Sequence, residues 1–404
     1  MFLKIFSRGS KSKQKKFLVL DVGTTGVKGI VFADDGTVLA KSYRFLKKNH
    51  PKKGWVEQDP MEMVSASIFV LRNALDLAKL TATDITACGI TNQRETTILW
   101  DKNTGLPVCP AIVWEDNRTK DWCDDLAQKH GPLVREKTGL LIEPYFSASK
   151  IRWILKNSAQ AEKLKREGNL LFGTVDSWIL WNLSDEAVHA TDYTNASRTL
   201  LYDIKEKKWN SELLEIFSIP SNILPQVLDS AGRFGSLRRD IVSGEIPIGA
   251  IIGDQEASAV AAALERGVTK VTYGTGAFIA QGLGQNFELH DGFYTTLVPG
   301  LYGPEYMLEA KVSGYGDQVG KYLKDPVKLK EVLESLTKEV GQVLERLPLP
   351  VSKVMADGGI TQAEFLLAEQ ERVSGIKMVK QKIYDGTSLG VLYLLQDFLK
   401  QPKV

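Results

Sequence analysis

FLVLDVGTTGVKGIVF, residues 17–32, contains an apolar run, a turn rich in glycine and threonine, and a second apolar run. The pattern predicts two strands joined by the turn that follows Asp21. Such a turn can direct backbone N–H groups toward a phosphate, and threonine hydroxyls add further donors. A similar Gly-Thr-Gly turn at residues 274–276 follows the apolar run at residues 271–273. Two such turns can hold one polyphosphate from opposite sides.

An acidic residue stands between these turns along the chain. Asp254 and Gln255 follow Ile248–Ile252, a run that predicts another strand. A carboxylate at this point can act as a base or hold Mg²⁺. The set suits phosphoryl transfer, which depends on positioning and charge neutralisation more than on covalent chemistry. The competing interpretation is that Asp254 only caps the helix predicted for Glu256–Leu264.

The composition is that of a soluble globular protein, with 43% hydrophobic and 25% charged residues. A chain of 404 residues favours at least two domains. The net charge of +2 gives no support for nucleic acid or a membrane as a main partner. The three cysteines lack metal-ligand spacing and fit a reducing compartment, so we expect a cytoplasmic protein. The four histidines are scattered, which argues against a histidine-based metal site.

Strands that alternate with helices predict an α/β protein. The spacing of apolar residues predicts helices over Pro60–Ala78, Lys328–Leu347 and Ser388–Leu399. Each half of the chain contains one hairpin with a candidate phosphate turn, so the halves resemble loose copies of each other. The basic residues 1–16 are expected to form a solvated tail.

Ten stretches of the chain carry a family resemblance. They are residues 17–32, Gly54–Pro60, Gly89–Asp101, Pro110–Thr119, Glu143–Leu155, Thr174–Leu183, His189–Leu201, Gly253–Ala259, Thr272–Phe278 and Ala356–Gly359. On these stretches the chain resembles the FGGY carbohydrate kinases. The run Asn92–Thr96, together with Trp114 and Tyr145, is typical of the glycerol kinases within that family.

The resemblance implies an actin-like (ribonuclease H-like) α/β fold of two domains around a cleft. Substrate binds mainly to the first domain and ATP mainly to the second, and closure would exclude water from the transfer step. The implied division is a tail at 1–16, a substrate-side domain at 17–248 and a nucleotide-side domain at 249–404. A homo-oligomer would fit the resemblance, since family members often form dimers or tetramers.

The resemblance also implies roles at the substrate. Asp254 would be the general base that takes a proton from the attacking hydroxyl of glycerol. The substrate-binding residues would be Arg94, Glu95, Trp114, Tyr145, Asp254, Gln255 and Phe278. Arg94 and Glu95 would bind neighbouring hydroxyls, while Trp114 and Phe278 would form apolar walls. For an isolated Arg-Glu pair, a surface ion pair would be the simpler interpretation.

ATP and Mg²⁺ are the cofactors that the resemblance implies. Asp21 would orient Mg²⁺ through water, because hard cations prefer carboxylate oxygen. The residues facing ATP would be Gly23, Thr24, Thr25, Lys28, Gly274, Thr275, Gly276, Gly316, Gly358, Gly359 and Glu364. Lys28 stands where glycerol kinases carry arginine, so it keeps the charge and loses the bidentate fork. Glu364 stands where the family has asparagine, and a carboxylate does not donate as an amide does.

The chain also departs from the family by an internal gap. Loops gain and lose residues easily, but a block of roughly 90 family residues is absent after Asp325, and it is more than one loop. Three functions remain open from the sequence. They are a compact active kinase, a polyol-binding protein that has lost transfer, and an actin-like protein that polymerises. The intact set of substrate residues favours the kinase.

Overall fold

The structure is a computed structural model that describes residues 14–274, 276–322, 324–362, 364–381 and 385–401. Thr275 and most of the expected N-terminal tail lie outside the described residues, as do the side chains of residues 316, 317 and 364.

The strands alternate with helices, as the sequence predicts. The strands are β1 Lys16–Val22, β2 Gly26–Ala33, β3 Val38–Phe45, β4 Glu57–Gln58, β5 Ala87–Asn92, β6 Ile98–Asp101, β7 Ala111–Ile112, β8 Leu170–Gly173, β9 Ala190–Asp192, β10 Tyr202–Asp203, β11 Lys208–Trp209, β12 Gln226–Leu228, β13 Ile248–Gly253, β14 Thr269–Tyr273, β15 Ala277–Gly284, β16 Tyr294–Gly300, β17 Gly303–Val312, β18 Lys353–Asp357 and β19 Lys377–Lys380.

The α-helices are α1 Pro60–Ala78, α2 Lys120–Thr138, α3 Ser147–Asn157, α4 Ala159–Arg166, α5 Val175–Leu183, α6 Tyr193–Ala196, α7 Ser211–Phe217, α8 Arg239–Val242, α9 Asp254–Ala261, α10 Gly316–Tyr322, α11 Pro326–Glu345, α12 Glu364–Ser374 and α13 Gly386–Phe398. Short 3₁₀ turns occupy Ala82–Asp84, Ser221–Ile223 and Gly359–Gln362.

Local capping decides where the long helices begin. The Asp59 carboxylate accepts the Met61 N–H at 2.8 Å, so α1 covers the predicted range. The Asp325 carboxylate accepts the Lys328 N–H at 3.2 Å, and α11 therefore begins at Pro326, two residues before the prediction. The Asp385 carboxylate likewise accepts the Ser388 N–H, and α13 begins at Gly386, two residues before the predicted beginning at Ser388.

Two open sheets form the framework, and the second repeats the arrangement of the first with one additional edge strand, β16. The first has the order β13-β5-β1-β2-β3, and the second has the order β16-β17-β15-β14-β18-β19. In each sheet a run of antiparallel strands continues into two parallel strands. The candidate phosphate turns join β1 to β2 and β14 to β15, at equivalent places. The copies seen in the sequence therefore correspond to two similar sheets.

The first sheet is covered on both faces. Apolar residues of α1 and α5 pack on one face, where Leu18 and Leu20 of β1 point. Residues of α13 pack on the other face, against Phe17 and Val19. The alternation of β1 side chains between two cores explains its continuous apolar run. A third core joins the second sheet to α11 and α12.

Strand β13 spans the predicted domain boundary. It pairs in parallel with β5 and therefore belongs to the first sheet. The division into 17–248 and 249–404 stays a prediction. Within the part of the chain that the structure describes, none of the helices combines the length and the apolar character that a membrane crossing requires.

Candidate active site

A cavity of about 290 Å³ is bordered by residues from both sheets. Its lining residues are Asp21, Gly23, Thr24, Thr25, Lys28, Arg94, Glu95, Trp114, Tyr145, Asp254, Gln255, Thr272, Gly274, Phe278 and Thr387. The fold thus brings together residues that lie hundreds of positions apart. All the predicted substrate residues border this cavity, and so do most of those predicted to contact phosphate. Thr272 and Thr387 were not predicted.

In each glycine turn, one backbone N–H group donates a hydrogen bond within the turn itself. The Gly23 N–H donates to the Gly26 carbonyl at 3.0 Å, and the Gly274 N–H donates to the Gly276 carbonyl at 2.8 Å. These two N–H groups therefore close the turns, whereas the sequence suggested that they face phosphate. A β-carbon at Gly276 would collide with the Val312 carbonyl oxygen, so glycine is required there for close backbone approach.

Thr24 links the first turn to the aromatic wall. Its hydroxyl accepts the Trp114 indole N–H at 2.9 Å and donates to the Gln93 side-chain oxygen at 3.1 Å. The Trp114 ring packs edge-on against Tyr145, with ring centroids 5.7 Å apart. The orientation of Trp114, a predicted wall of the substrate site, is thus fixed by Thr24 of the first glycine turn.

A lysine lies between two carboxylates at the other end of this turn. The Lys28 ammonium is 2.8 Å from Asp21 and 3.3 Å from Asp385, which caps α13. Burial raises the pKa of Asp21, and the nearby Asp385 adds to this, while Lys28 acts in the opposite direction. The carboxylates of Asp21 and Asp385 raise the pKa of Lys28 against the effect of burial, so this ammonium stays charged. Asp385 was not predicted as part of the site.

Asp254 is the first residue of α9, and Gly253 occupies the capping position. The interpretation of Asp254 as the helix cap is therefore wrong, because the chain enters the helix one residue earlier. The Asp254 carboxylate accepts the Gln255 N–H at 2.8 Å and lies 3.4 Å from the Arg94 Nε. Its side chain is 31% exposed, which leaves it accessible to a substrate in the cavity. Burial raises the pKa of Asp254 to about 6, although Arg94 opposes this effect.

Behind Asp254 lies a buried ion network. The Arg94 Nη1 contacts Glu256 at 2.6 Å and Glu309 at 2.8 Å. The Arg198 guanidinium binds Glu95 at 2.6 Å and also Glu309. Burial raises the pKa of Glu256 to about 8, against the effect of Arg94. The members come from both halves of the chain, so the network connects the two sheets.

Arg94 and Glu95 therefore differ from a surface ion pair. Their side chains are 3% and 2% exposed, and each has its main partner elsewhere. A β-carbon at Gly253 would lie 2.7 Å from the Arg94 Cδ, so glycine is needed for this close approach. Glu95 itself has a φ of 60°, a conformation that a non-glycine residue adopts at some cost. Such strain is common at functional sites.

The remaining nucleotide-side predictions lie away from this cavity lining. Gly358 follows β18, where the buried Asp357 accepts a hydrogen bond from the Ser258 hydroxyl. Gly359 begins a 3₁₀ turn, Gly316 begins α10, and Glu364 begins α12. Their contacts with a nucleotide stay predictions, as does the part assigned to Thr275.

Besides Asp385, four charged residues that matter to the site escaped the sequence analysis: Arg198, Glu256, Glu309 and Lys311. Arg198 and Glu256 lie in stretches that carry the family resemblance, but nothing in their immediate neighbours marks them. For Arg198, Glu256 and Glu309, the signal that could have revealed them is a charged residue within a run that folds as buried structure.

Comparison with known proteins identifies the family. The model of the FGGY family of carbohydrate kinases, N-terminal domain, matches residues 16–261. The chain belongs to the FGGY family of carbohydrate kinases. Membership makes it a carbohydrate kinase, an enzyme that transfers a phosphoryl group from ATP.

Among curated relatives, this FGGY chain is 36% identical to Glycerol kinase 2 of Thermotoga maritima, over 94% of its own length and 89% of that protein. It is 44% identical to a glycerol kinase of Fusobacterium nucleatum over 78% of its length and 64% of that protein. The first alignment has 443 positions and includes 94% of the 404 residues, about 380, so about 63 positions face gaps in this chain. The internal gap is smaller than the sequence suggested.

Solved structures of other kinases share the fold. Plasmodium falciparum glycerol kinase with ADP superposes with a TM-score of 0.88 at 24% identity, covering 97% of this chain and 91% of that one. A ligand-bound xylulose kinase from Lactobacillus acidophilus gives 0.81 at 17% identity, covering 96% and 90%. The predicted actin-like α/β fold is confirmed.

Proposed function

We propose that this chain transfers the γ-phosphoryl group of ATP to glycerol and forms glycerol 3-phosphate. The observation that carries the proposal is a single cavity whose lining includes residues of both phosphate turns, the predicted polyol residues and Asp254. Relatives at 36% and 44% identity that are named glycerol kinases support glycerol as the acceptor.

The reaction needs one proton to move and one bond to be exchanged. Asp254 takes the proton of the attacking hydroxyl as its oxygen bonds to the γ-phosphorus, and the bond from that phosphorus to the bridging oxygen of ADP breaks. The Gln255 N–H and the Arg94 guanidinium hold the Asp254 carboxylate in place. Thr24, Thr25 and Lys28 would supply donors and charge to the γ-phosphate.

Arg94 and Glu95 would bind the two hydroxyls that are not phosphorylated. Both side chains are fixed by the ion network before the substrate arrives, which limits the entropy lost on binding. The rings of Trp114 and Phe278 would cover the carbon chain and exclude water.

Mg²⁺ would be held at Asp21. Asp21 offers hard carboxylate oxygen, which suits this ion, and a second carboxylate, Asp385, lies nearby; both also contact the Lys28 ammonium. No cluster of three or more potential ligands occurs among the described residues. Mg²⁺ bound to ATP needs few protein ligands, since phosphate and water complete its coordination. The ion would neutralise charge on the β- and γ-phosphates.

The test is ADP release from Mg-ATP, with glycerol, other polyols and no acceptor compared in parallel. Glycerol-dependent turnover would support the proposal. Measurable glycerol binding without turnover would instead indicate a polyol-binding protein that has lost transfer.

The rate should depend on pH through Asp254. A base with a pKa raised to about 6 is active only when deprotonated, so kcat/KM for glycerol should rise with pH through about 6 and then level off. Initial rates from about pH 5 to about pH 8 at saturating Mg-ATP would measure this. A profile that is flat over this range would argue against Asp254 as the base.

Replacing Asp21 with Asn should weaken the response to Mg²⁺. Loss of a carboxylate that orients a metal through water typically costs about 10- to 100-fold in metal affinity, so half-maximal activity should need correspondingly more Mg²⁺. A Mg²⁺ titration of ADP release at fixed ATP would measure this shift. Asp125→Asn, on the exposed face of α2, is the matched control and should leave the titration unchanged. An unshifted titration for Asp21→Asn would remove Asp21 from the metal site.

A further inference from the structure

Lys311 places an ammonium group among the rings of the polyol site. It lies on β17, directly opposite Phe278 of the neighbouring strand β15. Its Nζ is 4.0 Å from the centroid of the Trp114 ring, 5.3 Å from that of Tyr145 and 5.5 Å from that of Phe278. All three distances fall within the range of cation–π attraction. These are the same three rings that border the cavity containing Asp254.

A second, larger cavity adjoins two of these rings. Its volume is about 650 Å³, and it shares Trp114 and Tyr145 with the cavity of about 290 Å³. We call the smaller one the inner cavity and the larger one the outer cavity. Lys311 borders the outer cavity together with Lys48 and Glu115. Trp114 and Tyr145 thus border both spaces, and the Lys311 ammonium packs against these two shared rings from the outer cavity.

The rings are the main partners that hold the Lys311 ammonium in place. Of the residues that the structure describes, no carboxylate lies within ion-pair distance of its Nζ. The two acidic groups that influence it are engaged elsewhere, Glu95 with Arg198 at 2.6 Å and Glu115 with Lys48 at 2.9 Å. Burial lowers the pKa of Lys311, and Glu95 and Glu115 oppose this effect. The ammonium is therefore partly desolvated and packed against aromatic faces.

We propose that Lys311 is a specificity-determining residue that supports the Trp114 and Tyr145 wall of the inner cavity from behind and restricts the acceptor to small triols. This inference rests on the proposed function, because it names which polyols fit the same site. The additional carbons of a tetritol or pentitol would push against Trp114, toward the space that the Lys311 side chain fills. Such an acceptor binds only if the lysine leaves the rings, and this displacement lowers its affinity relative to glycerol.

The experiment compares glycerol, erythritol and xylitol as acceptors for the wild type and three variants. Lys311→Ala removes the side chain that supports this aromatic wall, and kcat/KM for xylitol relative to glycerol should rise by about tenfold or more. Lys311→Met fills the same volume without charge, so it should keep the wild-type preference. Lys48→Ala is the matched truncation, because Lys48 borders the outer cavity and pairs with Glu115 instead of the rings. It should also keep the wild-type preference.

Calorimetric titration of the same polyols without ATP keeps this test independent of phosphoryl transfer. We expect xylitol to bind Lys311→Ala at least about tenfold more tightly than it binds the wild type. Absence of glycerol turnover in the wild type would overturn the proposed function, while the titration would still decide the role of Lys311. An unchanged polyol preference in Lys311→Ala that still binds glycerol would overturn the inference. So would a Lys311→Met variant as permissive as Lys311→Ala, because volume would then not be the cause.

Discussion

Asp254→Asn should lower kcat for glycerol-dependent ADP release by about 100- to 10,000-fold, the usual contribution of a positioned general base. Asparagine keeps the shape of the side chain and can still accept the Gln255 N–H, but it does not take up a proton at neutral pH. Glycerol affinity should stay within about tenfold of wild type, because the residue acts mainly in the transition state.

The measurement is steady-state ADP release combined with calorimetric binding of glycerol. Asp125→Asn is the control for removal of one carboxylate, and it should leave both quantities unchanged. A near-normal kcat in Asp254→Asn would exclude Asp254 as the base. A large loss of glycerol affinity would instead show that the carboxylate mainly holds Arg94, which lies 3.4 Å away.

The sequence predicts those features that depend on neighbouring residues. Helix α1 was correct because Asp59 and Pro60 define its beginning locally and the apolar spacing defines its buried face. The two hairpins around the glycine turns were also predicted correctly, because the turn residues and the apolar runs beside them are local signals. The beginning of α11 was two residues off because the cap at Asp325 outweighs the apolar pattern on which the prediction relied.

The charged network could not be predicted from local patterns. Arg198 contacts Glu95 across 103 positions of sequence and Glu309 across 111. No propensity or spacing rule connects residues so far apart, because their proximity follows from how the two sheets pack. The family resemblance predicts Arg94 and Glu95 as substrate residues, but it does not indicate that other charges fix them in place. The sequence also did not predict that the Gly23 and Gly274 N–H groups form hydrogen bonds within their own turns, because these bonds depend on the turn geometry.

Arg198→Met should lower the free energy of unfolding by about 3–5 kcal/mol, the usual cost of removing one partner from a buried ion pair. Arg198 is 1% exposed, and its loss leaves Glu95 without its closest cation and Glu309 with Arg94 alone. Urea titration followed by tryptophan fluorescence should show a lower midpoint with an unchanged m value. Arg372→Met is the control, because this exposed arginine pairs with Glu369 within one helix and should leave the midpoint unchanged.

A double variant separates charge from packing in this network. If the cost of Arg198→Met comes from unpaired carboxylates, adding Glu95→Gln should recover part of the lost stability, since an amide tolerates burial better than a lone charge. Additive losses would instead show that the Arg198 side chain stabilises the fold mainly through its contacts with the rings of Tyr145 and Phe146. In either case glycerol binding should weaken, because Glu95 keeps its strained position at the cavity only while Arg198 and the surrounding turn hold it there.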